Sequence, residues 1–249
     1  MAEICKCRGM IISSMPMGEY DKRVVILTLE KGKINAFAKG ARRPNSGFLA
    51  STNTFVFGDF ELYQGRNSYN IRQVEVVNYF SEFLKNLDAA WYGMYFLEIA
   101  DYFCKEGNDE KEMLKLLYQS LRALLSEKIS NSLVRLIYEW KTFVINGEYP
   151  DVFQCSGCSQ KLEQGYFDFK EFAIVCETCK VECNSQKRTD FMELSKSAMY
   201  TLQYIAGSSV EKLYTFRVND LVLNQMKEMI GLCKKKFIDK PLQSEIFLK

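Results

Sequence analysis

The chain has no histidine among its 249 residues. That absence excludes a Ser-His-Asp triad, a Cys-His nucleophile pair and any imidazole general base. A zinc site in this chain has to be built without imidazole, so a closed four-ligand site would be all-thiolate and structural. Proline is scarce, with four residues, and the chain carries no low-complexity tract and no internal repeat. Long hydrophobic runs are missing too: no stretch approaches the roughly 20 apolar residues that span a bilayer. Met1 to Lys6 lacks the basic-then-apolar pattern of a secretory signal. No P-loop, G-x-G-x-x-G or H-E-x-x-H is present. A carboxylate- or lysine-based enzyme stays open.

What is there is ordinary for a globular protein: 47% apolar residues and 26% charged. The length suits one large domain or two smaller ones. Nine cysteines without a signal point to a reducing compartment, the cytoplasm, where paired cysteines more often hold metal than form disulfides. Four stand out. Cys155 and Cys158, then Cys176 and Cys179, form two C-x2-C pairs separated by 17 residues. Each two-residue gap lets a pair of thiolates curl onto one ion, and the connection can double back as a hairpin. The spacing predicts one structural Zn2+ held by Cys155, Cys158, Cys176 and Cys179. Cys183 is an alternative ligand; Cys5, Cys7, Cys104 and Cys233 are read as small buried hydrophobes.

The first 80 residues read as β structure. Strands are expected at Arg8–Ser14, Lys22–Leu29, Gly32–Ala38, Thr54–Tyr63 and Tyr69–Tyr79, separated by turn-rich segments. Five short strands in this length suit an OB-fold barrel. From Ser81 the apolar period becomes helical. Helices are expected over Ser81–Lys105, from the Asp109/Glu112 capping pattern to Lys128, from Ser130 to Asn146, over Glu193–Ala206 and over Asn219–Phe237. Trp91, Tyr92, Tyr95 and Phe96 read as helix core. The fold class is α+β: an OB-fold domain over 1–80, then a helical domain over 81–249 with an inserted zinc ribbon at 151–185.

Charge is uneven. Residues 1–80 hold eleven Lys and Arg against seven Asp and Glu, while residues 81–249 hold 22 against 24. A mildly basic front part is compatible with nucleic-acid binding. Its best candidates are Lys39, Arg42 and Arg43, in a loop after the third strand, because mobile guanidinium forks suit phosphates. Lys22, Arg23 and Arg66 sit at loop–strand edges of the same domain and extend the patch. Phe37, Tyr63 and Tyr69 are weighed as base-stacking rings or as core. Lys234, Lys235 and Lys236 end the last helix, where the helix dipole alone accounts for them.

The segment Lys39-Gly40-Ala41-Arg42-Arg43-Pro44-Asn45-Ser46 resembles the bacterial RecO family of recombination mediators and DNA repair proteins. Gly18-Glu19-Tyr20-Asp21, Leu27-Thr28-Leu29, Gly32, Phe55, the C-x2-C pairs and Ser244-Glu245-Ile246-Phe247-Leu248 agree in order over essentially the whole chain. Phe172-Ala173-Ile174-Val175 departs from the family pattern, which has glycines before the second cysteine pair. The resemblance implies an OB-fold followed by a helical domain, binding of single- and double-stranded DNA, and annealing of complementary strands. It implies RecR, single-stranded-DNA-binding protein (SSB) and RecA as partners, RecA being loaded onto coated strands. It also implies a bacterial cytoplasmic, nucleoid-associated location with no membrane and no enzymatic activity. Two other classes remain as expectations to test: a zinc-ribbon interaction adaptor without DNA contact, and a carboxylate- or metal-dependent nuclease, for which no clustered Asp/Glu motif is evident.

Overall fold

A computed structural model describes residues 4–65, 68–126, 128–185 and 190–248. They form two compact units. One takes the described residues up to 126 together with 242–248; the other takes 128–241.

The first unit is built on five strands: β1 (Ile4–Met17), β2 (Asp21–Thr28), β3 (Gly32–Ala38), β4 (Phe57–Gln64) and β5 (Tyr69–Asn78), with a short helix α1 (Phe48–Ser51) between β3 and β4. They close in the order β1-β2-β3-β5-β4. All pairings are antiparallel except β3 with β5, which is parallel at Ala36↔Tyr69 and Phe37↔Asn70. Closure removes the open edges of a sheet and is the arrangement expected of an OB-fold barrel. Strict alternation makes the core: along β3 every second residue is buried, and Ile34, Ala36 and Ala38 meet Val24, Ile26, Phe60 and Leu62 inside. The fourth strand begins three residues later than the alternation suggests. Phe55 adopts φ 74, so the chain turns there, and the Phe55 ring packs on Phe83 at 4.8 Å.

Two helices complete this unit, α2 (Leu87–Phe103) and α3 (Lys111–Leu124). The expected helix from Ser81 is split. Ser81–Leu84 is a 3₁₀ turn, and α2 starts where the Asn86 side chain accepts from Ala89 N at 3.0 Å. The Asp109 box is not formed as such: Asp109 Oδ1 accepts from Lys111 N at 3.3 Å, and Glu110 occupies the N-cap. Tyr92, Tyr95 and Phe96 are buried as expected, but Trp91 is 39% exposed. Its ring stacks on Phe247 at 4.1 Å, and Glu98 accepts from the backbone N–H groups of Gln243 and Ser244 at 2.8 and 2.9 Å. Residues 242–248 are therefore fastened along α2.

The second unit packs three helices, α4 (Asn131–Ile145), α6 (Lys196–Gly207) and α7 (Asp220–Phe237), beside a small sheet. The sheet has the order β7-β6-β8, from β6 (Gly165–Asp168), β7 (Ala173–Val175) and β8 (Phe191–Leu194); α5 (Glu177–Ser185) follows β7. Ser130 caps α4 as the sequence indicates, and Asn219 caps α7. The helix expected from Glu193 starts later: residues 191–194 pair with β6, and Ser195 caps α6. Trp140 is fully buried and donates from Nε1 to Leu202 O at 3.0 Å. Next to it, buried Lys141 donates to the carbonyls of Ile205, Ala206 and Ser208 at 3.1, 2.9 and 2.8 Å. A cation at a helix C-terminus faces the negative end of the dipole and satisfies carbonyls left without intrahelical partners. Lys141→Met keeps the packing volume but strips those carbonyls of their donor. The expected loss is about 2 kcal/mol of unfolding free energy, read as a lower urea midpoint at unchanged m-value.

Candidate nucleic-acid interface and thiolate cluster

At one end of the barrel two loops are tied together. The β1–β2 turn, Gly18 to Tyr20, lies against the segment that follows β3. Asp21 Oδ1 accepts from Gly40 N at 2.7 Å, and Arg42 N donates to Tyr20 O at 2.8 Å. Gly40 has φ 66, a left-handed conformation that glycine takes without steric cost. Ala41 is fully buried in the barrel core and plugs its end. Lys39, Arg42 and Arg43 around it are exposed. Arg42 Nη1 donates to Gly18 O and Glu19 O at 3.2 and 3.3 Å. The Arg43 guanidinium lies over the Tyr20 ring, 5.3 Å from its centroid.

These three cations differ from Lys6, Arg8 and Arg72 on the barrel wall. Lys6 and Arg72 share Glu61, at 2.7 and 3.2 Å, and Arg8 grips Asp59 at 2.6 Å. Among the described residues Lys39, Arg42 and Arg43 have no carboxylate partner. Their charge is left to act outward.

The remaining sequence candidates are placed differently. Lys22 lies beneath α1, where Nζ donates to Leu49 O at 3.2 Å and Asn53 Oδ1 at 2.7 Å. Burial, followed by the nearby Arg42 charge, lowers its pKa. Arg23 faces the outer wall and donates to Asn35 Oδ1 at 2.9 Å, beside a cleft lined by Ser13, Met15 and Lys33. Arg66 lies outside the described residues. Of the weighed rings, Tyr69 is in the core, Phe37 is half-buried, and Tyr63 is 37% exposed with Arg72 over its face. The exposed ring beside the cation loop is Tyr20, in the β1–β2 turn, at 43% exposure. An aromatic in a three-residue turn has no strand partner to bury it, and that is the signal by which the sequence could have marked it.

The thiolate cluster is in the second unit. The first pair sits in a loop closed by an antiparallel bridge, Gln154↔Lys161. Within it Cys155 N donates to Gln160 O and Ser159 N to Cys155 O, both at 2.8 Å, and Ser159 takes φ 60. Ser156 N joins this loop to β7 through Ile174 O at 2.9 Å. The second pair follows β7: Cys176 precedes α5, and Cys179 lies in its first turn. A Cβ on Gly157 would stand 2.9 Å from Cys179 Sγ, so only glycine lets the two loops approach. α6 braces the loop, since Gln203 Nε2 donates to Val152 O and Leu162 O at 2.7 and 2.8 Å.

The four Sγ atoms lie within 4.8 Å of one another, three of the residues buried and Cys158 exposed. Cys158 and Cys176 Sγ are 3.8 Å apart. A tetrahedral zinc with Zn–S bonds of about 2.3 Å has sulfur–sulfur edges of about 3.8 Å, so the cluster has the right size. Backbone donors also point at sulfur: Cys176 N to Cys155 Sγ at 3.2 Å and Cys179 N to Cys176 Sγ at 3.5 Å. Burial raises the Cys155 thiol, but the N–H groups of Cys176, Cys158 and Gly157 outweigh it and bring it to about 6. Burial and the neighbouring thiols push Cys179 the other way. The side chain of Cys183 lies outside the described ones.

The hairpin between β6 and β7 turns without a glycine. Asp168 Oδ1 accepts from Lys170 N and Glu171 N at 2.8 and 3.1 Å, and Phe172 itself takes φ 53. Its ring meets Phe167 and Phe237 edge-on at 5.1 and 5.4 Å, under Lys236 Nζ at 3.8 Å. The packing offsets the strained backbone.

A closed five-stranded barrel with an exposed basic loop, joined to helices carrying a four-cysteine cluster, defines a barrel-and-ribbon protein. Two family models cover nearly the whole chain: "Recombination protein O N terminal" matches residues 1–80 and "Recombination protein O C terminal" residues 84–245. The chain belongs to the RecO family, and its barrel is that family's OB-fold. It is 26% identical over 246 residues to a DNA repair protein RecO of Clostridium novyi, covering 98% of this chain and 93% of that one. It is 27% identical over 227 residues to that of Clostridium acetobutylicum, covering 90% and 89%. It is 26% identical over 245 residues to that of Acetivibrio thermocellus, covering 98% and 96%. Family membership gives it a DNA repair role. Among the described residues no helix is long and apolar enough to cross a membrane.

Proposed function

We propose that the protein is a non-enzymatic DNA-binding mediator of recombination. It binds single- and double-stranded DNA, anneals complementary strands and, with RecR, helps load RecA onto strands coated by SSB. The observation that carries this is the loop of Lys39, Arg42 and Arg43, exposed and, among the described residues, without carboxylate partners, on an OB barrel where Lys6, Arg8 and Arg72 are paired with Glu61 and Asp59. Cations that neutralise phosphates release counterions and screen the repulsion between two strands held on one surface. Lys22, Arg23 and Arg66 are secondary members of the site; the internal hydrogen bonds of Lys22 leave it mainly a support for α1.

In this reading residues 1–80 are the DNA-binding domain, and 81–249 a helical domain with the ribbon at 151–185. One structural Zn2+ is held by Cys155, Cys158, Cys176 and Cys179; bound there, it would neutralise the clustered thiolates and cross-link the knuckle to the start of α5. The ribbon has no reacting role, and no residue is assigned as catalytic. The protein works in the bacterial cytoplasm, at the nucleoid.

The test is a salt titration of binding to a labelled oligonucleotide. Three phosphate-neutralising cations predict log K falling linearly with log salt, with a slope of about −2 on a single strand. Absence of salt-dependent binding would replace this reading with that of a ribbon adaptor without DNA contact. Magnesium-dependent cleavage of the oligonucleotide would replace it with a nuclease.

A further inference from the structure

We infer that Tyr20 is a base-stacking platform that makes the basic loop favour single strands over duplex. This rests on the DNA-binding reading above and adds a discriminating element that charge alone does not supply.

The ring stands at the tip of the β1–β2 turn and is 43% exposed. Among the described residues no other aromatic ring stacks on it. The Arg43 guanidinium covers it at 5.3 Å from one direction, and the remaining exposure leaves ring surface for an incoming base. The turn beneath it is held rather than loose. Arg42 N fastens Tyr20 O at 2.8 Å, Arg42 Nη1 fastens Gly18 O and Glu19 O, and Asp21 accepts from Gly40 N. The neighbouring Glu19 carboxylate raises the pKa of the phenol.

The arrangement places an aromatic face among three cations. An unpaired base offers a free π face and a phosphate one backbone step away, so ring and guanidinium can be engaged together. In a duplex the base faces are already stacked on one another, and a ring reaches them only by opening a step at a cost of a few kcal/mol. The cations serve both forms of DNA; the ring serves one. Tyr63, the exposed ring on β4, lacks this setting. Arg72, over Tyr63, is shared with Glu61.

The experiment measures affinity of the full chain for a fluorescein-labelled oligodeoxythymidine and for a duplex of equal length, over a range of salt. Tyr20→Ala is expected to lose about tenfold on the single strand, to change duplex affinity less than twofold and to leave the salt slope unaltered. Tyr20→Phe, which keeps the ring, is expected to retain single-strand affinity. Equal losses on both forms, or no loss on either, would overturn the stacking role while leaving the charge-based reading standing. A wild-type chain that binds neither form would overturn both.

Discussion

Cys176→Ser is expected to take zinc content from one ion per chain to none and to destabilise the second unit by more than about 4 kcal/mol, the range reached when a structural metal is lost. Cys176 is the choice because its atoms join both halves of the cluster. Its Sγ lies 3.8 Å from Cys158 Sγ, its N–H points at Cys155 Sγ, and its Sγ accepts from Cys179 N. A structural zinc contributes on the order of 10 kcal/mol to folding in small peptides that have little else. Here the core of α4, α6 and α7 around Trp140 remains, so the loss is smaller than that and falls first on the ribbon. Metal analysis and thermal unfolding, with and without chelator, read the effect. Cys104→Ser is the control: that thiol is fully buried in the other unit, where burial raises its pKa, and its replacement leaves zinc bound. Unchanged zinc and unchanged melting in Cys176→Ser would remove the metal from the account.

The second large effect is expected from Arg42→Ala/Arg43→Ala. Strand annealing should fall at least about tenfold, and affinity for single strand and duplex should fall together. Each lost phosphate contact should make the salt slope shallower by about one unit on duplex DNA. Both side chains are exposed, so the barrel should fold, although Arg42 also ties the β1–β2 turn through Gly18 O and Glu19 O. Arg42→Lys keeps the charge but not the two-carbonyl grip, and it separates these contributions. The pattern differs from the one expected at Tyr20, where only the single strand is affected. Annealing equal to wild type would place the DNA elsewhere on the chain.

The barrel was legible because β2 and β3 alternate cleanly, and alternation is a local record of which face is buried. The cysteine cluster was legible because two-residue gaps already fix what each pair can reach. The cap at Ser130 was legible for the same local reason. β8 was not. Phe191 to Leu194 fits a helical or an extended reading equally, and its pairing with β6, more than 20 residues earlier in the chain, decides the matter. Trp91 was misplaced because helical period says which residues share a face, not what later segment covers that face; Phe247 does so. Lys22 shows the same gap at the site. Its position beside a turn marks it as a phosphate candidate but does not reveal that Leu49 and Asn53, brought close by α1, accept from its ammonium.

The fastening of residues 242–248 along α2 has a consequence for how the chain is made. The first unit is discontinuous: it begins with the barrel and is finished by a segment synthesised after all of 128–241. Barrel and α3 can condense early on the ribosome, but the Trp91 ring waits uncovered until Phe247 emerges. A truncation or fusion after Pro241 would then be felt at the barrel's helices rather than at its neighbour in sequence, α7.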